Sequence, residues 1–170
     1  SAAKVKRGNR KSELALQKSE ALSYAHLLQG GTYDADGLYS AWRKVLHDQF
    51  HDILPGSSIQ EVYDGTDKDY AFLQSYTENL AAEKLSAIAE NLNTQGGVLV
   101  YNPLGFDRSG SITVDDKTTQ LAETIPAFGW KVIQPQQAAG KVRVEGLTAE
   151  NSRYVLQLDE AGQIVSLWDK

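Results

Sequence analysis

The feature that most constrains the fold is a change of hydrophobic period at Gly96-Gly97. Before it, apolar residues recur every three or four positions. After it, they alternate with polar residues or fall in short runs. The first spacing lines one face of a 3.6-residue helix, and the second lines one face of a strand. The sequence therefore predicts an α+β chain in two parts, a helical domain over 4–95 and a β-rich segment over 96–170.

In the helical part, Asn9 to Gln29 places Leu14, Ala15, Leu22, Ala25 and Leu28 on one face, and Gly30-Gly31 stops it. A second helix is expected from Asp36, a good N-cap, with Leu38, Trp42, Val45, Leu46, Phe50 and Ile53 on one stripe. Pro55-Gly56 ends that pattern. Ile59 to Tyr63 reads as a short helical turn broken by Asp64-Gly65. The third helix is expected over 66–93, with Tyr70, Leu73, Tyr76, Leu80, Ala81, Leu85, Ile88 and Leu92 on one side. At 1.5 Å per residue it is about 40 Å long. Isolated helices are marginal in water, so the stripes must pack together. Short connections favour antiparallel neighbours, which gives an up-down-up three-helix bundle.

In the second part, strands are expected at Val98–Tyr101, around Ile112 and Val114, at Trp130–Ile133, Val142–Val144, Tyr154–Leu158 and Ile164–Trp168. Pro103, Pro126 and Pro135 punctuate them, and Glu160-Ala161-Gly162-Gln163 reads as a hairpin loop. Such a series argues for antiparallel sheet, here an incomplete antiparallel β-sandwich segment. The terminal strand would leave an edge and an apolar face uncovered. That, and a chain with no Met, predict that the natural protein is longer. Ser1-Ala2-Ala3 is set aside from fold reasoning.

Composition excludes several classes. A net charge of −5 and a pI near 5.2 argue against a nucleic-acid binder, which needs a basic face for phosphates. The basic residues between Lys4 and Lys11 read as a solvated helix start. With no cysteine there is no disulfide, thiolate metal site or cysteine nucleophile. No apolar run reaches the ~18 residues of a membrane span.

The densest chemistry lies in Val45-Leu46-His47-Asp48-Gln49-Phe50-His51-Asp52-Ile53-Leu54-Pro55-Gly56-Ser57-Ser58. It holds two of the three histidines, spaced i and i+4, as one helix face would present them. One reading is a metalloprotease-like HDxxH site, with His47 and His51 as zinc ligands. Against it, Asp48 is one methylene shorter than the usual Glu base. Another is a solvated or half-buried helix face in a non-catalytic packing or adaptor domain. Asp48, Glu61, Asp64 and Asp67 read as helix-surface or capping groups. His26 sits late in the first helix, where a cation suits the dipole. Tyr24, Tyr33, Tyr39, Trp42 and Phe50 are candidates for stacking on a sugar, although the spacing of Trp42 and Phe50 suggests core.

The ten residues Gln49 to Ser58 closely resemble the His-Asp motif of α-mannosidases of glycoside hydrolase family 38. Asn9-Arg10-Lys11-Ser12-Glu13 resembles the entry to that family's middle domain. Val100-Tyr101-Asn102-Pro103-Leu104-Gly105-Phe106-Asp107-Arg108-Ser109-Gly110 resembles its bridge into the C-terminal β region, Ile125-Pro126-Ala127-Phe128-Gly129-Trp130 is similar to the segment that follows, and Gly162 to Lys170 resembles a hairpin of that region.

The resemblance implies a zinc-dependent, retaining hydrolase of terminal α-mannosides, working through an aspartate nucleophile and a second carboxyl. It makes His51 a zinc ligand and Asp52 a mannose-contacting residue. The family's His-x-Asp motif is absent, since no histidine here is followed by x-Asp. The other ligands and the nucleophile are therefore expected from an N-terminal catalytic domain outside this chain, and no catalytic residue is assigned within it. By the same resemblance the partners are an α-mannoside oligosaccharide, that domain and the rest of the C-terminal β domain, while the charge and the lack of a long apolar run lead to no nucleic-acid or membrane partner being expected. The resemblance implies a cytoplasmic location, and the chain alone is expected to be inactive.

Overall fold

The computed structural model describes residues 3–114, 117–121, 123–134 and 142–170. Ser1-Ala2 and Pro135 lie outside them. Three helices come first: α1 (Ala3–Leu28), α2 (Ala35–Asp48) and α3 (Gln60–Glu90). Among the described residues eight strands follow: β1 (Val98–Tyr101), β2 (Ser111–Val114), β3 (Lys117–Gln120), β4 (Trp130–Ile133), β5 (Arg143–Glu145), β6 (Thr148–Glu150), β7 (Tyr154–Leu158) and β8 (Ile164–Asp169). These strands pair antiparallel: β1 with β4, β2 with β3, and the meander β5-β6-β7-β8. The chain is α+β, as the change of period predicts.

Two compact units result. One comprises Ser1–Ser109 with Ala122–Gln134, the other Gly110–Leu121 with Pro135–Lys170. In the first, pairings between helices fix the up-down-up order. Lys4 pairs with Asp67, and Ser19 Oγ donates to the Thr77 carbonyl at 2.9 Å, so α1 and α3 run parallel. Tyr76 donates to Asp34 at 2.8 Å and Lys44 meets Asp69 at 2.5 Å, so α2 runs back between them in direction. Small buried residues, Ser19, Ser23 and Thr77, line the approach of the two long helices.

The core forms two clusters. Leu16, Leu38, Ala41, Val45, Leu73 and Leu80 fill one, flanked by Tyr33, Trp42, Tyr70 and Tyr76. Leu22, Ala25, Ala81 and Ile88 form the other, on which Leu99 and Tyr101 of β1 and Trp130 of β4 pack. Asn102 is buried after β1. Its Nδ2 donates to the carbonyls of Phe106 (2.7 Å) and Pro126 (3.1 Å), and its Oδ1 accepts from the Leu104 backbone N–H (3.1 Å). One side chain thereby ties the Asn102-Pro103-Leu104-Gly105-Phe106 loop to the segment leading into β4.

Several local expectations change. α1 starts at Ala3 and buries Val5 and Leu16, while Leu14 and Leu28 are exposed. α2 is capped by Asp34, whose Oδ1 accepts from the Gly37 N–H at 3.0 Å, two residues before Asp36. α3 begins at Gln60 and runs through Asp64-Gly65 without a break. A glycine costs a helix interior only about 1 kcal/mol relative to alanine. Gln60 donates to Asp64 and Thr66 donates back to the Val62 carbonyl across that stretch. β3 and β6 were not expected, since Lys117–Gln120 and Thr148–Glu150 hold almost no apolar signal.

Candidate functional site

α2 ends at Asp48, with Gln49 as its C-cap. His51 and Asp52 therefore lie in the turn that follows, not on the helix that the Pro55-Gly56 stop suggested. Three backbone bonds close this turn: Ile53 N–H to Phe50 O at 2.9 Å, Leu54 N–H to Phe50 O at 3.0 Å, and Gly56 N–H to Ile53 O at 3.1 Å. Gly56 adopts φ +96°, a conformation that disfavours a side chain.

The turn is pinned on both sides. Val45 is fully buried before it and Ile53 is 5% exposed after it. Gln49 Nε2 donates to Glu13 Oε1 at 2.8 Å and to Asn9 Oδ1 at 3.1 Å. The Asn9–Glu13 motif of α1 thus holds the residue two positions before His51.

Held this way, His51 and Asp52 both point to solvent, with side-chain exposures of 77% and 58%. His51 Nε2 lies 3.5 Å from Asp52 Oδ2, and the Phe50 ring leans on the imidazole at 4.3 Å between centroids. An exposed imidazole is a competent donor for a zinc-type ion. A carboxylate beside it can accept hydrogen bonds from hydroxyls. One imidazole is too few ligands for a closed site, so these residues fit a metal completed from elsewhere.

His47 is placed differently. It lies in the last turn of α2, 73% exposed, with Nδ1 3.4 Å from Asp48 Oδ1. The structure groups it with Asp48 and Asp69 rather than with His51. The shared helix face that the HDxxH reading needs is lost where α2 stops. Asp48 corrects a second expectation, since its side chain is buried rather than on the helix surface. Burial raises its pKa above the ordinary carboxylate value, and the Asp69 charge adds to this. The His47 hydrogen bond and Lys44 act the other way. Sequence spacing missed Asp69, which comes from α3. Its pairing with Lys44 across the helices, seen only in the fold, is the signal that locates it.

The aromatic candidates divide. Trp42 Nε1 and Tyr33 OH each donate to Glu20 at 3.0 Å, a link between α1 and the α2 region. Phe50 is 55% exposed, not core, because the turn carries it off the buried stripe. Tyr39 is exposed under the Arg43 guanidinium. Tyr24 is exposed beside Phe128, lining an apolar groove. His26 Nδ1 approaches the Thr32 carbonyl at 3.3 Å, a local contact at the end of α1.

Residues 1–88 match the family model described as the alpha mannosidase middle domain. The chain belongs to that family, the middle domain of glycoside hydrolase family 38 α-mannosidases. Human alpha-mannosidase 2C1 is 29% identical over 97% of this chain and 17% of the human protein. Alpha-mannosidase G of Dictyostelium discoideum is 38% identical over 54% of this chain and 8% of its own length. The chain thus spans about a sixth of the length of the human relative. Two solved structures from Enterococcus faecalis share the fold over the whole chain. One is described as a protein in the glycosyl hydrolase family 38 (TM-score 0.71, 16% identity, 29% of that chain). The other is described as an alpha-mannosidase (TM-score 0.70, 15% identity, 28% of that chain). Among the described residues, no helix is long and apolar enough to cross a membrane.

Proposed function

We propose that this chain serves a zinc-dependent, retaining α-mannosidase, in which His51 ligates the metal and Asp52 accepts hydrogen bonds from mannose hydroxyls. The observation that carries the reading is the pinned turn. Val45 and Ile53 are buried on either side, yet His51 and Asp52 project together into solvent. Exposed polar side chains on a tightly held turn suit a ligand presented from outside. A bound zinc would supply Lewis-acid charge and an anchor for sugar hydroxyls. His51 would donate one imidazole nitrogen to it, and the Phe50 ring against the imidazole limits the rotamers available. Asp52 would orient the sugar.

The relatives' greater length supports a protein with further domains. Residues 4–95 act as the helical middle domain and 96–170 as the start of a C-terminal β region. An N-terminal catalytic domain supplies the other ligands and the nucleophile. The substrate is a terminal α-mannoside of an oligosaccharide, and the location is cytoplasmic. Without a nucleophile the chain alone has no covalent route to turnover.

The test is an aryl α-mannoside assay on this chain and on a longer protein containing it. The chain alone should be inactive and the longer protein active. Asp52→Asn in the longer protein should lower kcat/KM while leaving its zinc content unchanged. Turnover by the chain alone, lost in His51→Ala, would overturn the proposal.

A further inference from the structure

Beyond the His51 turn, a second set of donors meets at the end of α2. His47, Asp48 and Asp69 each place one ligand atom within 4.8 Å of the other two. Successive helix residues normally diverge by about 100°. Here Asp48 is the last residue of α2, and His47 Nδ1 comes within 3.4 Å of its Oδ1. Asp48 is 1% exposed, yet its Oδ2 has no hydrogen-bond partner among the described residues. A buried carboxylate oxygen without a partner is costly. Lys44 gives Oδ2 no hydrogen bond, because its Nζ sits on Oδ1 of Asp69 at 2.5 Å. What the cluster lacks is a partner for Asp48 Oδ2.

The donor types restrict what can supply it. One imidazole and two carboxylates are too few and too mixed for calcium, which takes six to eight oxygens. They suit a borderline transition dication with open positions for water. His47 is 73% exposed and Asp69 25%, so an ion can enter from the His47 side. Lys44 occupies one oxygen of Asp69, and its own side chain is 38% exposed.

We propose that His47, Asp48 and Asp69 form an open site for one dication of the zinc class, separate from the metal that His51 serves. This site does not rest on the α-mannosidase reading, since all three donors come from this chain.

The experiment titrates cobalt chloride into the full 170-residue chain, following the cobalt d–d absorption band and the thermal midpoint. One equivalent should bind, with the band intensity of a low-coordinate histidine-carboxylate site and a rise in Tm. His47→Ala and Asp69→Asn should each weaken binding by at least about tenfold. Their side chains are not buried, so loss of folding does not obscure the result. His51→Ala should leave binding unchanged. Absence of saturable uptake, or uptake that survives His47→Ala, would overturn the site. Uptake abolished by His51→Ala alone would also overturn it, and would leave the reading of His51 standing.

Discussion

Gln49 Nε2 donates to Glu13 Oε1 at 2.8 Å, joining the cap of α2 to the middle of α1. The two residues are 36 positions apart, and each belongs to a separate motif of the resemblance. Asn9, 8% exposed, takes the same amide group at 3.1 Å. Outer partners of a metal ligand commonly change affinity by about 10–100-fold when removed. In the longer enzyme, Glu13→Ala or Gln49→Ala should weaken zinc binding within that range and lower kcat, with unchanged helix content by circular dichroism. Unaltered zinc affinity in both variants would show that this anchor does not position His51.

Leu80 is 6% exposed in the cluster with Leu16, Leu38 and Leu73. Leu80→Ala should destabilise the helical unit by about 2–5 kcal/mol in urea unfolding. Leu28→Ala, at a site 71% exposed, should change it by about 0.5 kcal/mol or less. Equal effects would mean that the packing between α1 and α3 is wrong.

The fold was legible where apolar periodicity was strong. α3, β1, β4, β7 and β8 follow their patterns, and the Gly30-Gly31 stop acts as a left-handed helix end, with Gly30 at φ +86°. α1 follows its expected face at Leu22 and Ala25 but not at Leu14 and Leu28, and part of its buried face is made by Ser19 and Ser23, which carry no hydrophobic signal. β3 and β6 are polar strands specified by their partners and turns, such as Gly146 at φ +56°. At the site, His51 and Asp52 stand out in the sequence only through the resemblance of a motif. The Asp48–Asp69 approach joins residues from two helices, and no local spacing encodes it.

Four tyrosines give the chain an alkaline limit. Burial raises the hydroxyl pKa of Tyr70, with nearby carboxylates such as Asp48 adding to it. Burial and then the Asp34 hydrogen bond raise Tyr76. Tyr33 and Tyr101 are also raised, chiefly by burial. Unfolded tyrosines lose their protons near pH ~10, whereas these stay protonated in the fold. The folded state then holds more protons, so stability is complete below about pH 10 and falls as pH rises beyond it. Tyr70 OH has no hydrogen-bond partner among the described residues. Tyr70→Phe should therefore leave stability at neutral pH unchanged or slightly raised and flatten the loss between about pH 9.5 and 11.5. Chemical unfolding across that range checks both parts, and an unchanged slope would contradict the assignment.

The central claim is that His51, and not His47, serves the catalytic metal. The most direct measurement is zinc content together with α-mannoside kinetics for His51→Ala and His47→Ala in the longer enzyme. Losing a direct ligand should weaken zinc binding by more than the roughly 10–100-fold typical of an outer partner. His51→Ala should therefore lose both the catalytic zinc and nearly all turnover. His47→Ala should retain turnover close to that of the parent, even if a second, non-catalytic ion is released. Turnover abolished by His47→Ala, or preserved in His51→Ala, would contradict the account.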